Sequence, residues 1–397
     1  MSGITIAVVA LGILSGLAAL HSLVGAVRYL RYARQAARAG GVVPAAELPS
    51  VTLIVPCCGA EDGLEPNLEA LLRQDYPQLR VRFVVEAADD GATPAIDRLC
   101  ERHPGRAERV VAGPSRDHGQ KVHNLLAALD AGPLADVLVF ADSDGRPEPG
   151  WLRRLVAVLG EPKVGVASSY RFYRPLPATF ATLLRSVWNL SVMALLGDHD
   201  RNFAWGGSMA IRRELFDRAK VREAWRGALS DDYAITHAVR RAGLRVSFVP
   251  ECVVGSDGRV GLGSTLSWVS RQISITRVYW PLLFWLAAVS NLSSAAFLVL
   301  ALVVGGVVPL SLLAAVLVLG CVSGGLRAVA LGHLAPQWRA EVHRWLWAYV
   351  LMAPLSGLVT GYAVVRALAS RRIEWRGTRY EMRSPNETVI LDRSRPI

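Results

Sequence analysis

The sequence predicts an α/β domain with a mostly parallel, Rossmann-like sheet, carrying membrane segments before and after it. Three observations carry this. Strand-length apolar runs alternate with helical stretches from Val51 to Leu159, over short connections, the signature of a parallel sheet. Acidic pairs stand where these strands end or helices begin, and ligands of open α/β sheets sit at the carboxyl ends of strands. Long apolar runs lie on both sides of the alternating region.

Composition agrees with a mixed protein. The chain has 397 residues and is 52% hydrophobic, with a mean hydropathy of +0.30. That is too apolar for an ordinary soluble protein and too charged in the middle for a pure membrane bundle. The net charge of +11 owes much to Arg28, Arg31, Arg34, Arg38, Arg371 and Arg372, which flank apolar runs. Such clusters fit cytoplasmic membrane flanks against anionic lipid rather than nucleic-acid binding. The five cysteines, Cys57, Cys58, Cys100, Cys252 and Cys321, show no metal-ligand spacing, as expected in a reducing cytosol.

Ile4 to Val27 is long enough to span a bilayer, and its positive charges follow it. A cleaved signal would carry them first, so the reading is an uncleaved anchor with its amino end outside. Ala39 to Pro49 is a Gly/Ala/Pro linker. Val51 to Pro56 and Val81 to Val85 read as strands, with a helix face of Leu64, Leu68, Leu71 and Leu72 between them. Thr93-Pro94 opens a helix, and Val110-Val111 marks a short strand. Lys121 to Leu129 is a helix with Val122, Leu125, Leu126 and Leu129 on one side.

Then comes Val137-Leu138-Val139-Phe140, a buried strand running into Asp142-Ser143-Asp144. Pro149 opens the next helix. After Tyr170 the alternation loosens: Phe180 to Leu196 is helical, Gly206 to Ile211 turns into a strand, Ser230 caps a helix through Val239, and Val246 to Pro250 is a strand.

Leu266 to Pro281 reads as an amphipathic helix at the membrane surface. Leu282 to Val304, Val307 to Leu326 and Leu346 to Leu368 are candidate spans. Three spans would put Arg371, Arg372, Arg376 and Arg379 outside, against the positive-inside rule. The favoured resolution is that one candidate is re-entrant or buried in protein. The expected organisation is an anchor over 1–30, a linker over 31–49, the α/β domain over 50–263, an interfacial helix over 264–281, a membrane region over 282–370 and a basic cytoplasmic tail over 371–397.

Four groups carry the chemistry: Asp89-Asp90, Asp142-Ser143-Asp144, Asp231-Asp232 and Arg271-Gln272. Each acidic pair also has a plain reading as a turn or a helix cap. Together at the ends of one sheet they fit nucleotide-sugar chemistry. An acid on an early strand can bind uracil or ribose. The D-x-D can hold a divalent cation that neutralises a departing diphosphate. A further carboxylate, Asp232, can take the acceptor proton, with Asp231 raising its pKa by like charge.

These residues resemble the membrane-bound family 2 glycosyltransferases, within them the ceramide glucosyltransferase and bacterial hopanoid-associated branch. The resemblance runs over Val51 to Pro281 and Trp375-Arg376-Gly377-Thr378-Arg379-Tyr380. It implies a GT-A fold, a UDP-sugar donor and Mg²⁺ or Mn²⁺; the expected acceptor is a membrane lipid, and the arginine flanks point to a bacterial inner membrane with the GT-A domain in the cytoplasm. By the same likeness Asp90, with Asp89 as alternate, is the first acid, and Asp142 and Asp144 are the metal ligands. Asp232 holds the catalytic acid position. Lys121-Val122-His123-Asn124-Leu125 is similar to the K-x-x-N-L segment, which places Lys121 and Asn124 at the nucleotide. The family's R-Q-x-R-W departs here to Arg271-Gln272-Ile273-Ser274-Ile275. The missing Arg-Trp counts against processive polymer synthesis, leaves single-sugar transfer to a lipid open, and leaves a degenerate nucleotide-binding relative as the non-enzymatic alternative. Arg277 and Trp280 are the nearby substitutes.

Overall fold

The computed structural model describes residues 3–39 and 48–394. Residues 40–47 of the expected linker lie outside them, and residues 31–39, expected to begin that linker, are helical in α1. The chain starts with α1 (Gly3–Ala39) and then alternates through β1 (Val51–Pro56), α2 (Leu64–Leu72), β2 (Leu79–Val85), α3 (Thr93–Arg102), β3 (Ala107–Val111), α4 (Gln120–Asp130), β4 (Val137–Ala141) and α5 (Trp151–Ala157). Next come β5 (Val164–Ser168), β6 (Arg171–Tyr173), α6 (Phe180–Met193), β7 (Ser208–Arg212), α7 (Arg213–Arg218), α8 (Val221–Trp225), α9 (Asp231–Arg241), β8 (Arg245–Phe248) and β9 (Val254–Ser256). The last part holds α10 (Leu262–Tyr279), α11 (Pro281–Val304), α12 (Val307–Leu334), α13 (Arg339–Arg344), α14 (Leu346–Leu351), α15 (Ala353–Ala369), β10 (Arg372–Trp375), β11 (Thr378–Ser384) and β12 (Glu387–Arg393).

The chain divides into two compact units. The first, through residues 48–172, 196–258 and 372–394, is built on a seven-stranded sheet of order β3-β2-β1-β4-β7-β5-β8. β3, β2, β1 and β4 are parallel, β7 runs antiparallel between β4 and β5, and β8 is parallel to β5. The antiparallel β7 is where the regular alternation of the sequence ends. Leu53, Val81, Phe83 and Val139 face one core layer with Leu68 and Trp151. Ile54, Val84, Leu138 and Phe140 face the other with Val122, Trp225 and Ile235. Burial on both faces is why these strands read as continuous apolar runs. Phe140 meets the edge of Trp225, ring centroids 5.3 Å apart, and truncating it to Ala would cost about 3–5 kcal/mol.

Arg372 onward is not a plain basic tail. β10, β11 and β12 form a three-stranded antiparallel sheet within the same unit as the acids.

The second unit comprises residues 3–39, 173–195 and 259–371. Three of its helices are long and apolar enough to cross a membrane: Gly3–Arg38, Pro281–Val304 and Val307–Leu334. α1 packs against α11 and α12 through Val8, Phe297, Ala301 and Leu313. Gly12 allows the approach, since a Cβ there would lie 2.8 Å from Phe297. The third carboxy-terminal candidate is not one helix. It breaks at Met352 between α14 and α15, with Pro354 in the first turn of α15, where proline is tolerated and a continuous helix is not. The expected interfacial helix is α10, which packs on α15, and Arg277 donates to the Ala367 carbonyl.

Candidate active site

β4 ends at Ala141, at the middle of the sheet, so Asp142 and Asp144 emerge from a strand with no freedom to shift. Their loop is fixed by its backbone: Ser256 Oγ donates to the Asp144 carbonyl at 2.8 Å, and Asn67 Nδ2 to that of Ser143 at 3.4 Å.

Lys121, in the first turn of α4, reaches Asp142 Oδ1 at 2.8 Å and Asp231 Oδ2 at 3.1 Å. The second contact is an ion pair without hydrogen-bond geometry, and it leaves that oxygen of Asp231 without a donor. Burial works against the Lys121 charge, but Asp142 and Asp231 outweigh it and raise the Lys121 pKa. Burial likewise opposes ionisation of Asp142. Lys121 and Arg171 prevail there and hold its carboxyl below the usual range. Asp231 goes the other way: burial lifts it and, with the Asp232 and Asp142 charges, overrides Lys121, so it is pushed up to about 6.

Gly206 and Gly207 make room for this cluster. A Cβ on Gly206 would overlap Asp231 and lie 2.7 Å from Lys121 Nζ. One on Gly207 would lie 2.6 Å from Asp142 Oδ2. Glycine is needed here for close approach rather than for a special backbone angle.

The remaining oxygens of the D-x-D are held by a residue the sequence reading passed over. Arg171, on β6, donates from Nη2 to Asp142 Oδ2 and Asp144 Oδ1 and from Nη1 to Asp144 Oδ2, all at 2.7 Å. Its guanidinium also lies over the Trp205 ring, 4.9 Å from the centroid. The chemistry of the two carboxylates suits a hard divalent ion. As arranged, however, they are ligands of Arg171 and Lys121. Among the described residues no group of three His, Cys, Asp or Glu side chains is placed to hold a metal.

Asp232 is half-buried at the start of α9. Its Oδ1 accepts from Tyr233 N at 2.8 Å and from the Ser230 hydroxyl. The pair thus divides: Asp231 points into the cation cluster, and Asp232 lies beside it on the capped turn. Asp90 Oδ1 accepts from the backbone of Gly59 and Ala92, both at 2.8 Å, tying the loops after β1 and β2 together. Asp89 is exposed. Asn124 is buried, its Nδ2 donating to the Val84 carbonyl at 3.4 Å and its Oδ1 accepting from Gln120 at 2.8 Å. Both ends of its amide are thereby engaged by the protein. Arg271 and Gln272 lie on α10, in the other unit from the acids. Arg277, which donates to Ala367, is engaged there as well.

A lone arginine inside the apolar stretch Val164 to Tyr173 was the available signal for Arg171. A buried charge needs a partner, and the D-x-D is the acidic motif just upstream.

The sheet, with acids and a lysine converging at the carboxyl end of its central strand, defines a glycosyltransferase of the GT-A class. The chain belongs to glycosyl transferase family 21, whose family model matches residues 10–388. A ceramide glucosyltransferase of Komagataella phaffii is 28% identical over 131 residues, 32% of this chain and 26% of that protein. One of Gibberella zeae is 30% identical over 142 residues, again 32% and 26%. Ceramide glucosyltransferase 3 of Caenorhabditis elegans is 18% identical over 234 residues, 58% of this chain and 51% of that protein. The matches thus span about a quarter to a half of these relatives. A mannosyltransferase of Pyrobaculum calidifontis, solved with GDP-Man and Mn²⁺, superposes with a TM-score of 0.54 at 21% identity, covering 89% of this chain and 98% of that one. At that identity the likeness concerns the fold.

Proposed function

We propose that this protein transfers a single sugar from a UDP-sugar to a hydroxyl of a membrane lipid, with inversion at the sugar carbon. The supporting observation is the cluster of Lys121, Asp142 and Asp231 beside Asp144 and Asp232, in a family 21 chain with membrane-length helices. The curated relatives bear the name ceramide glucosyltransferase, which favours a ceramide-like acceptor. Nucleoside diphosphate and Mn²⁺ accompany the mannosyltransferase of like fold.

In this reading Asp232 accepts the proton of the attacking hydroxyl, a role worth about a hundredfold to ten-thousandfold in rate. Lys121 sits where it can face the diphosphate and positions Asp142. Asp90 and Asp89 lie at the nucleoside end. Mg²⁺ or Mn²⁺ held by Asp142 and Asp144 would supply further neutralisation of the leaving diphosphate, once Arg171 releases those carboxylates. On this reading the protein belongs to a bacterial inner membrane, with its GT-A unit in the cytoplasm.

The test is to incubate membranes holding the full chain with labelled UDP-sugars and extract with organic solvent. Label in lipid supports the proposal. Label in insoluble material would instead indicate a polysaccharide synthase. Arg171 closed on the D-x-D favours one other reading, a nucleotide-binding protein without turnover, and absence of any incorporation would support it.

A further inference from the structure

The C-terminal sheet touches the loops that surround the acids. Tyr380 Oη accepts from Gln120 N, next to Lys121, at 3.2 Å. Thr388 Oγ1 donates at 2.8 Å to the Gly227 carbonyl, a few residues before Asp231. Arg393 Nη1 pairs with Glu86, after β2, at 2.6 Å, and its Nη2 donates to the Ser115 carbonyl before α4. Arg376 pairs with Glu61 in the loop after β1. The sheet therefore roofs the carboxyl ends of β1, β2 and β3.

Arg376 sits at the tip of the β10–β11 hairpin. It has φ 51° and Gly377 φ 71°, so both turn residues are left-handed. That suits a tight hairpin, yet an L-residue other than Gly, Asn or Asp is disfavoured in it. Lys220 is the other non-glycine residue with positive φ among those described. Strained positions of this kind collect at ligand-binding sites. Glu61 takes Nη1, while the Arg376 side chain stays 45% exposed.

We propose that Arg376 is a ligand of the donor's diphosphate, delivered to the site by the C-terminal sheet. The inference rests on the nucleoside-diphosphate donor proposed above. Planar, multiply donating guanidinium suits phosphate recognition, and the left-handed turn holds its backbone in place against the strain.

The experiment measures equilibrium binding of UDP and of uridine to the full chain in detergent. Arg376→Gln is expected to weaken UDP by about tenfold or more, the size of a lost charge-assisted bond, and to leave uridine unchanged. Arg376→Lys, which keeps the charge, recovers part of the loss and is the safer variant for folding. Arg379→Gln, which removes an exposed arginine paired with Asp392 on the same sheet, leaves UDP binding intact. Unchanged UDP affinity in Arg376→Gln, or an equal loss of UDP and uridine, overturns this inference alone. Failure of the unaltered protein to bind UDP overturns it together with the donor reading.

Discussion

Arg171 grips Asp144 with two parallel hydrogen bonds, Nη1 to Oδ2 and Nη2 to Oδ1, each 2.7 Å long. This fork-to-fork pairing is the strongest geometry available to the two groups. A divalent ion held by these carboxylates would therefore compete with Arg171 for the same oxygens. Replacing Arg171 with Gln should tighten Mn²⁺ binding by about tenfold or more, read from the resonance of free Mn²⁺. It should also lower the melting temperature without metal, since two carboxylates lose their counter-charge, and Mn²⁺ should restore it. Identical Mn²⁺ titrations for the two proteins would rule the competition out.

Asp232→Asn keeps the capping acceptor for Tyr233 N but removes basicity. It should fold, bind UDP normally and transfer about a hundredfold more slowly. Single-turnover rates and melting temperatures on one preparation settle this. A full rate with lowered stability would leave Asp232 as a helix cap only.

Asp231 predicts a pH effect on stability. Its carboxyl is lifted from 3.8 to about 6, so the folded state binds that proton more tightly than the unfolded chain does. Ionising it therefore costs stability as pH rises from about 4 to about 6, and the cost is complete above that window. Asp231→Asn should remove this component. Melting curves collected across the window should then fall less steeply with pH than those of the unaltered protein. Parallel curves for the two proteins would show that Asp231 titrates as an ordinary carboxylate.

Gly206→Ala should disrupt the cluster, because the new Cβ would meet Asp231 and Lys121 Nζ at once. Moving either group separates a buried charge from its partner, at about 3–5 kcal/mol. Loss of UDP binding together with a lowered melting temperature is the expected result. A variant that binds and melts normally would mean that the cluster is looser than its geometry indicates.

Much of the sheet was legible because its strands obey simple rules. Val137 to Ala141 is a short apolar run ending in acids, and it became the buried strand β4. The resemblance implies a place near the nucleotide for Lys121; the structure shows its Nζ between Asp142 and Asp231. Other features were hidden for physical reasons. β5 contains Gly165, which weakens a strand pattern, and a Cβ there would lie 2.8 Å from Leu244. Arg171 lies on a three-residue strand, too short for any periodicity. Which of Asp231 and Asp232 faces the cations depends on the pitch of the first turn of α9, and sequence spacing does not fix that. The C-terminal sheet was readable in principle. Thr388 to Leu391 is strand-like, and Arg376-Gly377 and Pro385-Asn386 are turn chemistry, but the interspersed arginines obscure the period.

The position of that sheet bears on how the chain is threaded. The polypeptide leaves the sheet-bearing unit after Gly258 and re-enters it at Arg372. Both halves of one folded body must lie in the same aqueous compartment, so the bilayer is crossed an even number of times between them. α11 and α12 are long and apolar enough to make one such pair, whereas the segment over 346–369 is broken at Met352 between α14 and α15. With that pair, Arg371, Arg372, Arg376 and Arg379 fall on the side of the GT-A unit, which satisfies the positive-inside rule if that side is the cytoplasm. α1 is also of membrane length; with it as one further crossing, reporters fused to the two ends of the chain should signal from opposite faces of the membrane.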